Sequence, residues 1–209
     1  MSRVRVVCFD LGGVVVRICR SFEESVLASG VPLRPLPARS DLHVHRGELV
    51  ERHQTGRIDA AEFHRAMSAA VDGVYRPDEV ALIHRAVLRG EYEGIADVVR
   101  ALDRAGLRTA CLSNTNDEHW TELVRMPAIA AMHERHASHL FGLSKPGEAI
   151  YRRFEEVLGA RGGEILFFDD LADNIATAAR LGWDAVRIDH EGDTAAQVRT
   201  ALGERGVRC

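Results

Sequence analysis

Carboxylates crowd two places in this chain. Asp10 directly follows an apolar run over residues 4–9, and Asp169-Asp170 directly follows another over 164–168. A lone aspartate in such a place is an ordinary turn residue. An adjacent pair is different, because two like charges repel unless a cation or a ligand compensates them. A site of few carboxylates and no nitrogen or sulfur suits Mg²⁺, which keeps several of its waters. Asp10 is thereby a candidate nucleophile or metal ligand. Ser113-Asn114-Thr115-Asn116 supplies hydroxyl and amide donors of the kind that hold phosphate oxygens, although the same run also suits a helix cap. Lys145 precedes Pro146, so the chain is extended there before a helix begins. Its ammonium is either solvated or delivers positive charge to an anion site.

These residues need elements to bring them together. Val4-Arg5-Val6-Val7-Cys8-Phe9 is β-branched and apolar, as a buried strand requires. It stops at Asp10-Leu11-Gly12-Gly13, where two glycines permit a turn that a Cβ would hinder. Residues 107–112, 164–168 and 185–188 are similar apolar runs, ending at Ser113, Asp169 and Asp189. Between them lie helical stretches at 95–105, stopped by Gly106; at 146–158, opening on Pro146 and closing before Gly159; and at 175–181, ending at Gly182. Strands alternating with helices predict an α/β fold: a Rossmann-like parallel sheet with helices on both faces. Ligands of such sheets sit beyond the carboxyl ends of the strands, where Asp10, Ser113 and Asp169-Asp170 all fall.

Residues 17–94 break that rhythm. They hold helix-like runs at 59–71, with Asp59 as N-cap, and at 78–88, with Pro77 in the first turn, and no convincing strand. A proline-rich loop occupies 31–40. The region reads as a small α-helical cap inserted in a core made of residues 1–16 and 95–209. With 209 residues, 46% hydrophobic and 28% charged, the chain can build a real core. Its 27 basic against 31 acidic residues, a net charge of −4, argue against a nucleic-acid partner. No apolar run reaches the ~20 residues of a membrane span. Cys8, Cys19, Cys111 and Cys209 form no paired motif, which fits reduced thiols and a cytoplasmic location.

The ordered set Asp10-Leu11-Gly12-Gly13-Val14, Leu112-Ser113-Asn114, Lys145-Pro146 and Phe168-Asp169-Asp170-Leu171-Ala172-Asp173-Asn174 resembles the four motifs of the haloacid dehalogenase-like hydrolases. Its wording is most similar to the subgroup that contains bacterial α-D-glucose-1-phosphate phosphatases. The resemblance implies attack of Asp10 on phosphorus to form an aspartyl-phosphate, which water then hydrolyses. It implies Mg²⁺ on Asp10, the Gly12 carbonyl and Asp170, with Asp169 as an outer-shell or additional ligand. Gly12, Gly13, Ser113, Asn114 and Lys145 would line the phosphate site. Ser113 would bond the phosphoryl oxygens, Asn114 would support its loop, and Lys145 would offset charge. The expected partner is a small phosphorylated metabolite, a sugar phosphate above all, bound by a monomer or homodimer.

One position departs from the family. Most of its phosphatases carry a second aspartate two residues after the nucleophile, as general acid and base, and here that place is Gly12. Losing a general acid costs about 10²–10⁴-fold in rate unless the leaving group is acidic, as an anomeric hydroxyl is. Two other functions stay open: a metal-independent 2-haloacid dehalogenase, and a phosphate-binding protein without turnover. The cap histidines His43, His45, His53 and His64 could reach a substrate, and one could replace the missing acid. His133, His136 and His139 read as a partly exposed edge rather than a metal site. Arg17 and Arg20 either screen phosphate or face solvent, and Trp120 and Trp183 pack or form an interface.

Overall fold

The structure is a computed structural model that describes residues 4–38 and 41–207. The chain opens with β1 (Val6–Phe9) and β2 (Val16–Ile18), then passes through helices α1 (Phe22–Ser29), α2 (Leu42–Gln54), α3 (Ala60–Ala70) and α4 (Pro77–Arg85). It continues through β3 (Leu88–Glu91), α5 (Ile95–Arg104), β4 (Arg108–Ser113), α6 (Asp117–Leu123), α7 (Pro127–Ala130), β5 (Glu134–Ala137) and α8 (Ser138–Phe141). It ends with α9 (Glu148–Leu158), β6 (Ile165–Asp169), α10 (Ala172–Arg180), β7 (Asp184–Arg187) and α11 (Thr194–Glu204).

Five strands pair in parallel in the order β5-β4-β1-β6-β7, so the fold is the expected α/β one with a Rossmann-like sheet. Both faces of β1 are buried, and its side chains alternate between two cores. Val7 and Phe9 join the core under α5, α7 and α11, while Val6 and Cys8 join the one under α9 and α10. A strand buried on both sides must be apolar throughout, which is why the run was legible. Because β1 lies between β4 and β6, the residues that end these three strands are neighbours. The chain leaves β1 toward β4 on one side and reaches β6 on the other, and ligands bind where strand order diverges in this way.

Several details differ from the sequence reading, among them an earlier start of α10, at Ala172 rather than 175, and an earlier end of α4, at Arg85 rather than 88. Residues 17–94 were expected to hold no strand, yet β2 and β3 pair antiparallel, with Val16 opposite Glu91 and Ile18 opposite Leu88. A two-stranded ribbon of three and four residues leaves too little alternation to read. Strand β5 is an edge strand whose outward residues are charged, so it lacks the apolar signature of its neighbours. Helix α9 begins after Gly147 rather than at Pro146, which lies in the preceding turn behind a cis Lys145–Pro146 bond. Strand β7 starts one residue earlier than expected.

Helices α1 to α4 form a lobe with a core of its own, built from Val26, Phe63, Met67, Tyr75, Val80 and Ile83 among others. The proline-rich loop is strapped to this lobe. Arg34 pairs with Glu79 at 2.6 Å, its backbone N–H donates to the Tyr75 hydroxyl at 2.8 Å, and it holds the Glu79 carboxyl down to about 2. Its last two residues, Arg39 and Ser40, lie outside the described residues, as does Cys209. No helix of the described residues is long and apolar enough to cross a membrane.

The lobe meets the core on α6. His84 of α4 stacks on His119 at 4.1 Å and lies 5.3 Å from His53 of α2. His53 faces Asp117 at 3.5 Å, and Glu118 takes both His64 at 3.1 Å and Arg85 at 3.0 Å. Burial lowers the pKa values of His53, His84 and His119, and the nearby imidazole of His64 adds to this in each case. The native joint therefore favours neutral imidazoles, while the unfolded chain takes up protons from about pH 6.5 downward. Stability from these histidines is present at neutral pH and is lost on acidification below that value. The melting temperature should fall between pH 7 and pH 5, and His84→Gln should flatten the fall; parallel curves for the two proteins would remove the joint from the account.

Candidate active site

Asp10 sits one residue beyond β1, and its N–H donates to the Phe168 carbonyl of β6 at 2.8 Å. This bond holds the start of the loop against the neighbouring strand. The chain then coils tightly: the N–H groups of Val15 and Val16 both reach the Leu11 carbonyl, and Gly13 N–H reaches the Val16 carbonyl. Gly13 has φ of +85°, and a Cβ there would run into Arg20 and the Asp170 carboxylate. Glycine at 13 is thus required twice, by backbone and by space.

The three carboxylates expected to share a cation do converge. Asp10, Asp169 and Asp170 bring ligand oxygens within 4.8 Å of one another, the only such grouping of three among the described residues. Lys145 lies among them with its side chain 1% exposed, 3.0 Å from Asp10 and 2.7 Å from Asp169. Asp170 pairs with Arg20 at 2.8 Å. Three buried negative charges thus face two cations. Burial, with Asp169 and Asp170 beside it, pushes the Asp10 carboxyl up against the pull of Lys145. The two carboxylates hold the ammonium of Lys145 firmly protonated despite its burial.

Asp169 differs from its companions. It is fully buried and its oxygens are already taken. One accepts from the Leu171 N–H at 2.8 Å, the other from Lys145 at 2.7 Å, and the Asn174 amide reaches both at 3.0 and 2.9 Å. Asp10 and Asp170 keep 7% and 5% exposure and fewer partners, so these two can meet a ligand. A divalent cation fits this donor set: hard oxygens, a deficit of positive charge, and Asp169 anchoring Lys145 from behind.

Ser113 ends β4, buried and without an intramolecular partner among the bonds described. Asn114 does not offer its amide to a ligand. Its Nδ2 donates to the Lys145 carbonyl at 2.7 Å and its Oδ1 accepts the Lys145 N–H at 2.9 Å, so it fixes the lysine's backbone. Asn116 caps α6 through the His119 N–H at 2.9 Å. The candidate cap histidines are elsewhere: His43 and His45 are exposed on α2, while His53 and His64 turn to α6. His133, His136 and His139 have separate partners, namely Thr109, Phe141 and the Thr115 carbonyl. Trp183 is a packing residue, buried against Tyr151 and Phe154.

Arg20, left between screening phosphate and facing solvent, pairs with Asp170, and two further residues with no role assigned from the sequence, Asn174 and Arg187, join the site. Arg20 follows the turn by only a few residues, and β2 carries it back over Asp170. Asn174 lies one turn into α10, where its amide faces Asp169. Arg187 of β7 donates to the Asp170 carbonyl at 3.1 Å. Only the spacing of Asn174 from Asp169 was a readable signal.

The chain belongs to the haloacid dehalogenase-like hydrolase family, whose pattern it matches over residues 4–182. It is an enzyme of that hydrolase class, and phosphatases stand among its relatives. A phosphatase of Mycobacterium tuberculosis is 24% identical over 211 residues, covering 98% of this chain and 96% of that protein. An enolase-phosphatase of Nocardia farcinica is 29% identical over 110 residues, 51% of this chain and 47% of that protein, so the match takes in about half the length of that relative. Among solved structures, a HAD-like hydrolase from Porphyromonas gingivalis superposes with a TM-score of 0.76 at 25% identity, over 95% of this chain and 98% of that one. A HAD family enzyme of Bacteroides thetaiotaomicron, in complex with magnesium and inorganic phosphate, gives 0.74 at 19% identity over 94% and 100%. The L-2-haloacid dehalogenase of Xanthobacter autotrophicus gives 0.63 at 21% identity over 99% and 85%.

The charge crowding predicts opposite responses to two substitutions. Lys145→Met leaves Asp10 and Asp169 without their buried cation and should cost about 3–5 kcal/mol of stability. Asp10→Asn removes one of three crowded negative charges and should leave the melting temperature of metal-free protein equal or higher. Calorimetric melting of the two variants checks this, and equal losses would contradict it.

Proposed function

We propose that the protein is a Mg²⁺-dependent phosphomonoesterase acting on a small phosphorylated metabolite through an aspartyl-phosphate on Asp10. The observation that supports this best is the convergence of three buried carboxylates around Lys145. A site for a haloacid has no use for two further acids beside its nucleophile, since they would repel the substrate's own carboxylate.

In this reading an Asp10 oxygen attacks phosphorus and the bond to the leaving oxygen breaks, its electron pair departing with that oxygen. Water then hydrolyses the acyl phosphate and restores Asp10. Lys145 keeps Asp10 oriented and lowers the repulsion that a carboxylate meets near a phosphate. The Ser113 hydroxyl would bond a phosphoryl oxygen. Asp10, the Gly12 carbonyl and Asp170 would hold Mg²⁺, with Asp169 outside them. Bound there, the ion would offset charge on the phosphoryl oxygens. Arg20 must then share or release Asp170. The α1–α4 lobe, with its expected extent of residues 17–94, is the cap that covers the reaction and limits water.

Gly12 sets the leaving group. His53, His64 and His84 are engaged at the joint with α6, and in this reading none of them takes the place of the missing acid. The substrate is therefore an ester of an acidic hydroxyl, such as the sugar 1-phosphates that the resemblance implies.

Phosphate release from a panel of phosphomonoesters should require Mg²⁺, stop with chelator, and stop with Asp10→Asn. Metal-independent halide release from 2-chloropropionate would select the dehalogenase instead, and phosphate binding without either reaction would select a non-catalytic protein. A Cβ at Gly12 meets only the tip of Ile18, at 3.1 Å, so Gly12→Asp can be accommodated. It should raise kcat/KM for a primary phosphate more than for a sugar 1-phosphate, by at least tenfold in relative terms, since general-acid assistance is worth about 10²–10⁴-fold. An equal effect on both substrates would dismiss the leaving-group account.

A further inference from the structure

A cavity of about 410 Å³ opens inside the helical lobe, and Arg20 is part of its wall. The same Arg20 bonds Asp170 at 2.8 Å, so this residue belongs both to the cavity wall and to the carboxylate cluster. Most of the wall is apolar, with Phe22, Val50, Phe63, Met67 and Ile83 contributing. None of the described residues of the proline-rich loop lines it.

The few polar groups of the wall are mostly spent. Ser25 donates its hydroxyl to the Ser21 carbonyl at 3.0 Å, and the Ser21 hydroxyl caps the Glu24 N–H. Cys19 directs its thiol at the Ala86 carbonyl at 3.4 Å, and His84 Nε2 meets the Asn116 amide at 3.2 Å. Arg46 is the exception. Its guanidinium lies 4.2 Å over the Phe22 ring, and its Nε is buried with no hydrogen-bond partner. No ion pair to Arg46 is found among the described residues. Glu23 acts on it only from a distance, and burial lowers its pKa.

A buried, unanswered guanidinium N–H is costly unless a ligand supplies the acceptor. Arginine presents a planar fork of donors that matches a carboxylate. A hydroxyl-rich sugar ring would bring many groups needing partners to a wall that has one to give. An apolar body would bring none. We propose that this cavity receives the leaving group of the phosphomonoester, and that this group is an apolar body ending in a carboxylate held by Arg46. The inference rests on the phosphatase reading and narrows it. Within the class of acidic leaving groups that Gly12 demands, it favours phenol-like or enol-like acids over sugars.

The test compares phenyl phosphate, 4-carboxyphenyl phosphate, its longer homologue with a carboxyethyl arm, and glucose 1-phosphate, all with Mg²⁺. At least one carboxylated ester should exceed phenyl phosphate in kcat/KM by tenfold or more. That ratio should collapse toward one in Arg46→Gln, chiefly through KM, and recover in part in Arg46→Lys. The product acids, 4-hydroxybenzoate and its homologue, should bind metal-free protein in calorimetry and lose that binding in Arg46→Gln. A ratio near one, or a preference for glucose 1-phosphate that Arg46→Gln leaves in place, overturns the proposal. If no ester releases phosphate while the product acid still binds through Arg46, the phosphatase reading fails and the cavity's ligand class stands.

Discussion

A single ammonium group, buried between two carboxylates that end adjacent strands, is the constraint from which the rest of the site follows. Lys145 can be ionised in the interior only because Asp10 and Asp169 face it, and those two can approach each other only because it stands between them. The arrangement needs β1 beside β6, so that Asp10 and Asp169 emerge together. It also needs the backbone at 145 held in place, which the Asn114 amide does from the end of β4. Three strands and one loop are therefore tied together by the electrostatics of one side chain. Parallel pairing supplies the closeness, and the lysine makes it tolerable.

Asp169 shows how the same chemistry divides labour between like residues. Its oxygens are saturated by Lys145, Asn174 and the Leu171 N–H, and it has no exposure. Such a carboxylate orients its neighbours and cannot itself take a ligand without breaking bonds it already makes. Asp170, one residue on and just beyond β6, meets Arg20 instead and keeps some exposure. Different partners thus turn an adjacent acidic pair into one anchoring group and one group open to a ligand. The repulsion that made Asp169-Asp170 conspicuous as sequence persists in the structure, where oxygens of both lie within 4.8 Å of each other and of Asp10, and it is offset by Lys145 and Arg20.

The core was legible because its physics is local. Strands β1, β4 and β6 are buried on both faces and must be continuously apolar, and each ends in the polar residue that acts at the sheet's rim. Gly13 announces the turn that only a positive φ permits. Arg46 was not legible, and Arg20 was legible only as a cation near the first turn, without its partner Asp170. Arg20 reaches Asp170 across 150 positions because the β2–β3 ribbon folds back, and that ribbon is too short to show a period. Arg46 sits on a helix of weak amphipathic character, among the charged residues of α2, where nothing local marks it apart from its exposed neighbours. Long-range placement, not residue type, decides their roles. The histidines illustrate the converse: the types of His53 and His64 suggested chemistry, but packing assigns both to the joint between lobe and core.

That joint bears on how the chemistry and its selectivity are coupled. Asp10 and the charges around it belong to the sheet, whereas the cavity beside Arg20 belongs to the helical lobe, and the two touch through α6 and through Arg20 itself. Ser138 reinforces the contact, accepting the Thr115 N–H at 2.9 Å and donating to the Gln54 carbonyl at the end of α2. Thr115 follows the Ser113-Asn114 pair directly, so the loop that orients Lys145 is continuous with the loop that carries the lobe. Any tilt of the lobe must disturb neutral, stacked imidazoles on one side and the Arg20–Asp170 pair on the other. A ligand that fills the cavity and engages Arg20 adds contacts available only when lobe and core are together, and so favours the arrangement in which Asp10 is shielded from bulk water. On the proposed reading, affinity of the lobe for a ligand would in this way become control of water at the sheet.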